Sequence, residues 1–143
     1  MSNVGLESID HTVQVTHQWI NEFNEQLKWN NKARSYRLLR TVLHGIRDWL
    51  QANEAADLAA QLPTLLRGVY YEQWRPAITP VKQRDKSAFL DRVDEAFKTD
   101  PIVSTAEAVT EAFKFLSSKI GAGEIDDVRQ SLPADLRALW PTK

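Results

Sequence analysis

The 143-residue chain contains no cysteine and only five glycines. The lack of cysteine excludes disulfides, thiolate catalysis and cysteine-ligated metal centres. Five glycines are few for building the glycine-rich loops that bind phosphates or dinucleotides, and no such motif occurs. No apolar run approaches the roughly 18 residues of a membrane-spanning helix, so the sequence predicts no membrane span.

The chain also lacks a charge excess of either sign. Eighteen Lys and Arg residues against 19 Asp and Glu residues give a formal net charge of −1. Such a chain has no global field to attract nucleic acid or an anionic lipid surface. The first residues have neither the basic start nor the apolar stretch of a signal peptide. We therefore expect a cytoplasmic protein with no membrane partner.

Patterns of catalytic and metal-binding residues are missing as well. The three histidines, His11, His17 and His44, form no His-Glu-x-x-His motif, and no Gly-x-Ser-x-Gly elbow occurs. His44 and Asp48 are four residues apart and could share a metal, but two ligands do not make a site. We predict a non-enzymatic protein without catalytic residues, metal site or cofactor.

The sequence does contain an internal repeat. A shift of 70 positions places Leu62-Pro63 on Leu132-Pro133 and Arg67 on Arg137. The same shift places apolar residues on apolar residues elsewhere: Trp19 on Phe89, Phe23 on Val93, Leu43 on Phe113, Ile46 on Leu116 and Leu50 on Ile120. A fixed period with apolar positions in phase indicates one helical unit used twice.

The apolar spacing inside the first unit is helical. One stripe with steps of three and four comprises Ile9, Val13, Thr16, Ile20, Phe23 and Leu27, and a second comprises Leu38, Leu39, Val42, Leu43, Ile46, Trp49 and Leu50. The pair Asn30-Asn31 is expected to cap the second helix, Asn53 to cap the third, and Pro63 to begin a fourth. The first stripe could also pair with another chain, although packing within its own unit is the simpler use.

These patterns predict an all-α fold made of two tandem, structurally similar four-helix units of about 70 residues, since no strand pattern appears. The boundaries are 1–75 for the first unit and 76–143 for the second, packed as one integrated domain. The connector at 75–80 contains Pro76 and Pro80 and is expected to be short and stiff.

Three segments also carry a family resemblance: 36–50, 62–74 and 132–140. The most specific is Leu62-Pro63-Thr64-Leu65-Leu66-Arg67-Gly68. Together they resemble the bacterial family catalogued as domain of unknown function 2267, and the resemblance covers nearly the whole chain. It implies a small bacterial helical domain and brings no established activity, cofactor or catalytic residue.

A basic stripe is the best candidate for a binding site. Arg37, Arg40, His44 and Arg47 are separated by steps of three and four and lie within about 80° of arc on a helix. The second copy has no such stripe, so the repeated fold does not require it. The stripe could bind a phosphate, a nucleic acid backbone or an acidic partner. The alternative is that these side chains pair with nearby acids such as Glu54 or Asp57.

Other positions are common to both copies or close the first unit. Arg67 and Arg137 are expected to serve the scaffold, in an acid–arginine bridge that clamps the Leu-Pro turn. Tyr71, Trp74 and Arg75 are candidates for an interface, although rings at this place could instead pack the joint between units.

These observations predict a non-enzymatic protein-interaction module or self-associating scaffold, whose partner is another protein or a second copy. The alternative is an anion or nucleic-acid binder that uses the basic stripe of the second helix.

Overall fold

The computed structural model describes residues 4–82 and 84–141, with side chains from Leu6 onwards. These residues form eight α-helices and one 3-10 turn, at Pro76–Ile78. The helices are α1 (Val4–Leu27), α2 (Lys32–Trp49), α3 (Ala52–Ala59), α4 (Thr64–Tyr71), α5 (Lys86–Ala96), α6 (Thr105–Lys119), α7 (Ala122–Ser131) and α8 (Ala134–Arg137). The described ranges contain no strand, so the prediction of an all-α fold is confirmed.

The turn between α1 and α2 is built from asparagines. Asn31 is the N-cap of α2, as predicted, and its side chain accepts a hydrogen bond from the Arg34 N–H at 3.1 Å. The Asn24 side chain accepts from the Asn31 N–H and from the Ser35 hydroxyl. These bonds satisfy N–H groups that a helix start leaves free, and they fix the direction in which α2 leaves the turn.

The start of α3 differs from the prediction. The N-cap is Gln51 and not Asn53, which lies inside the helix. The Glu54 carboxylate accepts from the Gln51 N–H at 3.4 Å, so an acid three residues after the cap does the work of a capping box. Pro63 is the N-cap of α4, which confirms that this proline starts a new helix.

One hydrophobic core contains the buried apolar residues from Trp19 of α1 to Trp140, which follows α8. The predicted apolar face of α2 is buried throughout, and α2 packs against α1, α4, α5 and α6. Phe89 of α5 lies so close to Gly45 of α2 that a Cβ atom at Gly45 would come within 2.7 Å of the Phe89 ring. The glycine therefore allows these two helices to approach each other closely.

The segment that joins α4 to α5 is held against the C-terminal end of α2. The Val81 N–H donates to the Asp48 carbonyl at 2.9 Å, and the Arg84 guanidinium donates to the Trp49 carbonyl at 3.3 Å. Together with the 3-10 turn, these bonds fix the connector on the surface of the core. Within the described ranges, no helix is sufficiently long and apolar to cross a membrane.

Candidate functional site

The four residues of the predicted basic stripe lie on successive turns of α2 but in different environments. Arg47 is only 3% exposed, whereas the Arg40 side chain is 41% exposed and Arg37 and His44 are half-buried. Equal spacing in the sequence therefore does not give equal access to solvent, because other elements cover the C-terminal end of the stripe.

Arg47 is occupied by partners within the chain. One terminal nitrogen donates to the carbonyls of Tyr70 at 2.7 Å and Glu72 at 2.6 Å. Its Nε and its other terminal nitrogen donate to the two carboxylate oxygens of Asp48, at 2.8 and 3.2 Å. A buried guanidinium needs such a full set of acceptors, since an unpaired buried charge is strongly destabilising. Arg47 thus fastens the C-terminal end of α4 to α2.

Asp48 joins this network to α5. The Arg92 guanidinium donates to Asp48 at 2.7 Å, so one carboxylate receives two arginines. Burial raises the pKa of Asp48, but the hydrogen bonds from Arg47 and Arg92 outweigh that effect and hold the pKa below its usual range. Asp48 is therefore an ionised anchor between the two halves of the chain.

His44 binds the backbone and not a metal partner. Its Nε2 lies 2.6 Å from the Val69 carbonyl, and because a carbonyl can only accept, Nε2 donates. Burial lowers the pKa of His44, and the positive charges of Arg47 and Arg40 act in the same direction, whereas the bond to Val69 partly opposes them. His44 and Asp48 thus have separate partners.

The acids that pair with the stripe are not the expected ones. Arg40 forms an ion pair with Glu72 at 3.1 Å, and Arg47 pairs with Asp48. The expected partners Glu54 and Asp57 lie instead on α3, beside α7. Arg37 lies over the Phe97 ring, with its guanidinium carbon 5.3 Å from the ring centre. The exposed positive charge of the stripe is thus limited to its N-terminal half.

Arg67 and Arg137 bind backbone carbonyls, so the acid half of the predicted acid–arginine bridge is wrong. Arg67 donates to the carbonyls of Ala59 at 3.0 Å and Leu62 at 3.1 Å. Arg137 donates to the carbonyls of Arg129 and Leu132, both at 2.8 Å. Each arginine donates to carbonyls at the end of the preceding helix, of which Ala59 and Arg129 also accept the N–H of Leu62 and Leu132. The arginine thus clamps the Leu-Pro turn by another route.

Tyr71 and Trp74 form a stacked pair, with ring centres 5.1 Å apart. Both are partly buried against the core, and Arg75 beside them is exposed. The three predicted interface residues are therefore brought together, at the place where α4 ends and the connector begins.

Four acids meet where α3 packs on α7. Glu54 and Asp57 come from α3, and Glu124 and Asp127 come from α7. Partial burial raises the pKa of Glu124, and the three neighbouring carboxylates raise it further. In the described ranges, no group of three or more His, Asp or Glu side chains has an arrangement suited to a metal ion.

The N-terminal half of α1 carries the most exposed large apolar side chains on any helix of the described chain. Leu6 is 61% exposed and Ile9 is 58% exposed. They continue the stripe whose later members Thr16 and Phe23 are buried, and Val13 between them is half-buried. The sequence pattern revealed this stripe but did not show that the core covers only its C-terminal part.

Two further features lie along α1. It contains four acids, Glu7, Asp10, Glu22 and Glu25, and neither Lys nor Arg. An open cleft of about 620 Å³ separates its N-terminal half from the start of α4, lined by Glu7, Ser8, His11, Thr12, Val15, Pro63 and Thr64. The Thr12 hydroxyl accepts from the Leu65 N–H at 2.8 Å, which fixes the distance between the two helices there.

No curated protein shows a significant match to the chain. The match to a protein family begins at Thr16, the first buried member of the α1 stripe, and ends at Leu139 in the turn after α8. Leu6, Ile9 and Val13 therefore lie outside the matched region. That region, residues 16–139, fits the family described as "uncharacterized conserved protein (DUF2267)", and the chain belongs to this family.

Proposed function

We propose that this protein is a non-enzymatic protein-interaction module that docks a partner on the N-terminal half of α1. The observation that carries the proposal is the exposure of Leu6 and Ile9, in phase with a stripe that the core otherwise buries. Covering a Leu or Ile side chain completely gains about 1.5–3 kcal/mol. Two such side chains on one helix face can therefore anchor a partner.

The proposed fold behind this surface is a pair of tandem four-helix units in one domain, 1–75 and 76–143. The hydrogen bonds of Arg67 and Arg137 support it, because their acceptors Ala59 and Arg129 are also 70 positions apart. Further pairs at this offset share the same role: Pro63 and Pro133 as N-caps, Gln51 and Gly121 as N-caps, and Leu66 and Leu136 as fully buried residues.

This repeat singles out the N-terminal half of α1 as an addition. Helix α5 begins at Lys86, and the position 70 residues earlier is Thr16, in the middle of α1. Residues 4–15 thus form extra helix where the second unit has the connector. They also precede the region that matches the family. A segment that neither the repeat nor the family match contains is free to serve binding.

The polar groups of α2 support a structural use for most of the predicted anion site. Arg47 and His44 are hydrogen-bonded to carbonyls of the α4 segment, so only Arg37 and Arg40 offer accessible charge. The anion-binding alternative therefore depends on two arginines, one of which already pairs with Glu72. A cytoplasmic location agrees with a module of this kind and is part of the proposal.

Site-specific photo-crosslinking tests the docking surface. A photoreactive amino acid is placed at Ile9 and, as a matched control, at Val103, which is fully exposed in the loop before α6. We expect a discrete crosslinked product from position 9 and none from position 103, in cells that make the protein natively. A product at neither position, or equally at both, would refute docking on α1.

The mass of the product separates a second copy of this chain from another protein. The nucleic-acid alternative is tested with labelled DNA and RNA at about 50 mM salt, where phosphate contacts are strongest. Binding that falls steeply with added salt and weakens in Arg40→Ala would favour that alternative. Binding that is absent, or insensitive to Arg40→Ala, would remove it.

A further inference from the structure

On the basis of the proposed docking surface, we propose that the partner is an amphipathic helix of another protein with apolar residues on one face and Lys or Arg along its flanks. The surface offers both halves of such an interface: the apolar stripe of Leu6, Ile9 and Val13, and on one flank of it the exposed carboxylate of Asp10. The exposed carboxylate of Glu7 lies on the same flank, about 60° further around the helix than Asp10. Helices with this apolar spacing commonly bind an apolar groove or helix face of their partner.

The geometry of the stripe favours a helical partner. Leu6, Ile9 and Val13 follow each other at steps of three and four, so they form one narrow row along α1. The row spans about 10 Å, since each residue advances a helix by about 1.5 Å. A partner helix of about three turns covers it. Asp10 lies only about 40° around the helix from Leu6, at the border of the row, within reach of a long basic side chain.

The charge of α1 decides the class of partner. Val4–Leu27 contains four carboxylates and no Lys or Arg, although the whole chain is almost neutral. Like charges across an interface cost free energy and opposite charges increase the rate of encounter. Two copies docked through the N-terminal half of α1 would bring together the four carboxylates of Glu7 and Asp10, so self-pairing through this surface is disfavoured. Glu22, in the other half of the helix, is already paired with Lys119. Nucleic acid and anionic lipid are repelled for the same reason.

The test uses two synthetic 14-residue peptides with the same helical pattern, one made of Leu and Lys and the other of Leu and Glu. Fluorescence anisotropy measures their binding to the full chain at about 50 and 300 mM salt. We expect binding of the Leu/Lys peptide only, with weaker binding at the higher salt because exposed charges are screened.

Two double variants separate the apolar and the charged contributions. Leu6→Ala/Ile9→Ala should weaken binding of the Leu/Lys peptide by at least about tenfold, given the apolar area removed. Glu7→Gln/Asp10→Asn should weaken it about three- to tenfold and remove most of the salt dependence. The control, Asp91→Asn/Asp126→Asn, neutralises the same number of exposed acids on α5 and α7 and should leave binding unchanged. Circular dichroism verifies that each variant keeps its helical content.

Each contrary result has a definite meaning. If neither peptide binds, or if Glu7→Gln/Asp10→Asn behaves like its control, the basic-helix proposal is overturned. If the Leu/Glu peptide binds and Leu6→Ala/Ile9→Ala abolishes that binding, α1 docks an acidic helix, and the proposal of a basic partner is overturned. If Leu6→Ala/Ile9→Ala changes nothing, the peptide binds elsewhere and the proposal is overturned. Crosslinking at Ile9 decides independently whether α1 docks a protein at all.

Discussion

Arg47 and Ser117 lie 70 positions apart, at the C-terminal ends of α2 and α6, and both hold the segment that closes their half of the chain. Arg47 donates to the carbonyls of Tyr70 and Glu72, at 2.7 and 2.6 Å. Ser117 accepts from the Trp140 ring N–H at 2.8 Å. The first contact uses a buried charge and the second a neutral hydrogen bond.

The next residues extend the difference. Asp48 binds Arg47, receives Arg92 from α5 and offers its carbonyl to the Val81 N–H. Ser118, 70 positions later, donates to the Phe115 carbonyl within its own helix. Asp48 thus connects elements from both halves of the chain, whereas Ser118 bonds within its own helix. The end of α6 reaches the first half through an ion pair between Lys119 and Glu22 of α1, and not through a carboxylate shared by two arginines.

The largest expected effect on stability comes from removing the side chains of Arg47 and Ser117 one at a time. Arg47→Ala leaves the Asp48 carboxylate without its bidentate partner and should cost about 3–5 kcal/mol of unfolding free energy. Ser117→Ala leaves one buried N–H without an acceptor and should cost about 1–3 kcal/mol. Urea denaturation of the full chain measures both. Equal losses of unfolding free energy would show that the charged contact of Arg47 stabilises the fold no more than the neutral hydrogen bond of Ser117.

The second prediction concerns the middle of the same helices. Gly45 of α2 faces the Phe89 ring, whereas Phe115 of α6, 70 positions later, packs on Phe23 with ring centres 5.0 Å apart. Gly45→Ala should lower the free energy of unfolding by about 1–3 kcal/mol, because the added methyl group overpacks the contact with Phe89. The control is Gly68→Ala, on α4, where an added Cβ atom meets open space. It should raise the free energy of unfolding by about 0.4–1 kcal/mol, because alanine restricts the unfolded chain more than glycine does.

Thermal unfolding of these two variants gives the comparison. A stabilising Gly45→Ala would contradict the close approach of α2 and α5. If both variants lose stability by a similar amount, the effect comes from replacing glycine by alanine in a helix and not from the contact with Phe89.

The smallest expected effects are differences in pH dependence between two carboxylates. The pKa of Asp48 is lowered in the folded state, so its contribution to stability is present above the unfolded pKa and is lost as pH falls through the folded pKa. Asp48→Asn should therefore be less stable than the parent at pH 7, and the gap should close in acid.

Glu124 should behave in the opposite way. Its pKa is raised in the folded state, so the folded chain binds more protons and the parent gains stability as pH falls through that pKa. Glu124→Gln should be slightly more stable than the parent at pH 7, with the advantage vanishing below the unfolded pKa of about 4.3. Melting temperatures between about pH 7 and 3 measure both variants. If both variants differ from the parent in melting temperature in the same direction at pH 7, the two carboxylates do not have pKa values shifted in opposite directions.

Some parts of this fold were predictable from local patterns. The buried face of α2 follows from its apolar spacing, and the Asn31 cap follows from the residue type at a helix start. The choice of Gln51 over Asn53 did not follow from residue type at the cap, because the Glu54 carboxylate accepts from the N–H of the N-cap Gln51 and makes the earlier start favourable.

The candidate site was less accessible to sequence reasoning. Arg40 and Arg47 differ by two helical turns and share a face, so no pattern distinguishes them. Arg47 is buried because the backbone carbonyls of Tyr70 and Glu72, at the end of α4, lie against it. Arg40 stays exposed because it contacts the side chain of Glu72, which is itself exposed. The carbonyl partners of Arg67 were not predictable for a related reason: every residue has a carbonyl, and residue type does not show which carbonyls the fold brings close to a guanidinium.

The sequence by itself determined the all-α class, the apolar faces and the family, because periodicity and characteristic segments are local properties of a chain. Tertiary structure alone decided which members of a stripe are covered. Ile9 and Phe23 belong to one row of α1, but only Phe23 lies where other helices reach it. Burial depends on the neighbours that packing brings close, and these come from residues far away in the sequence.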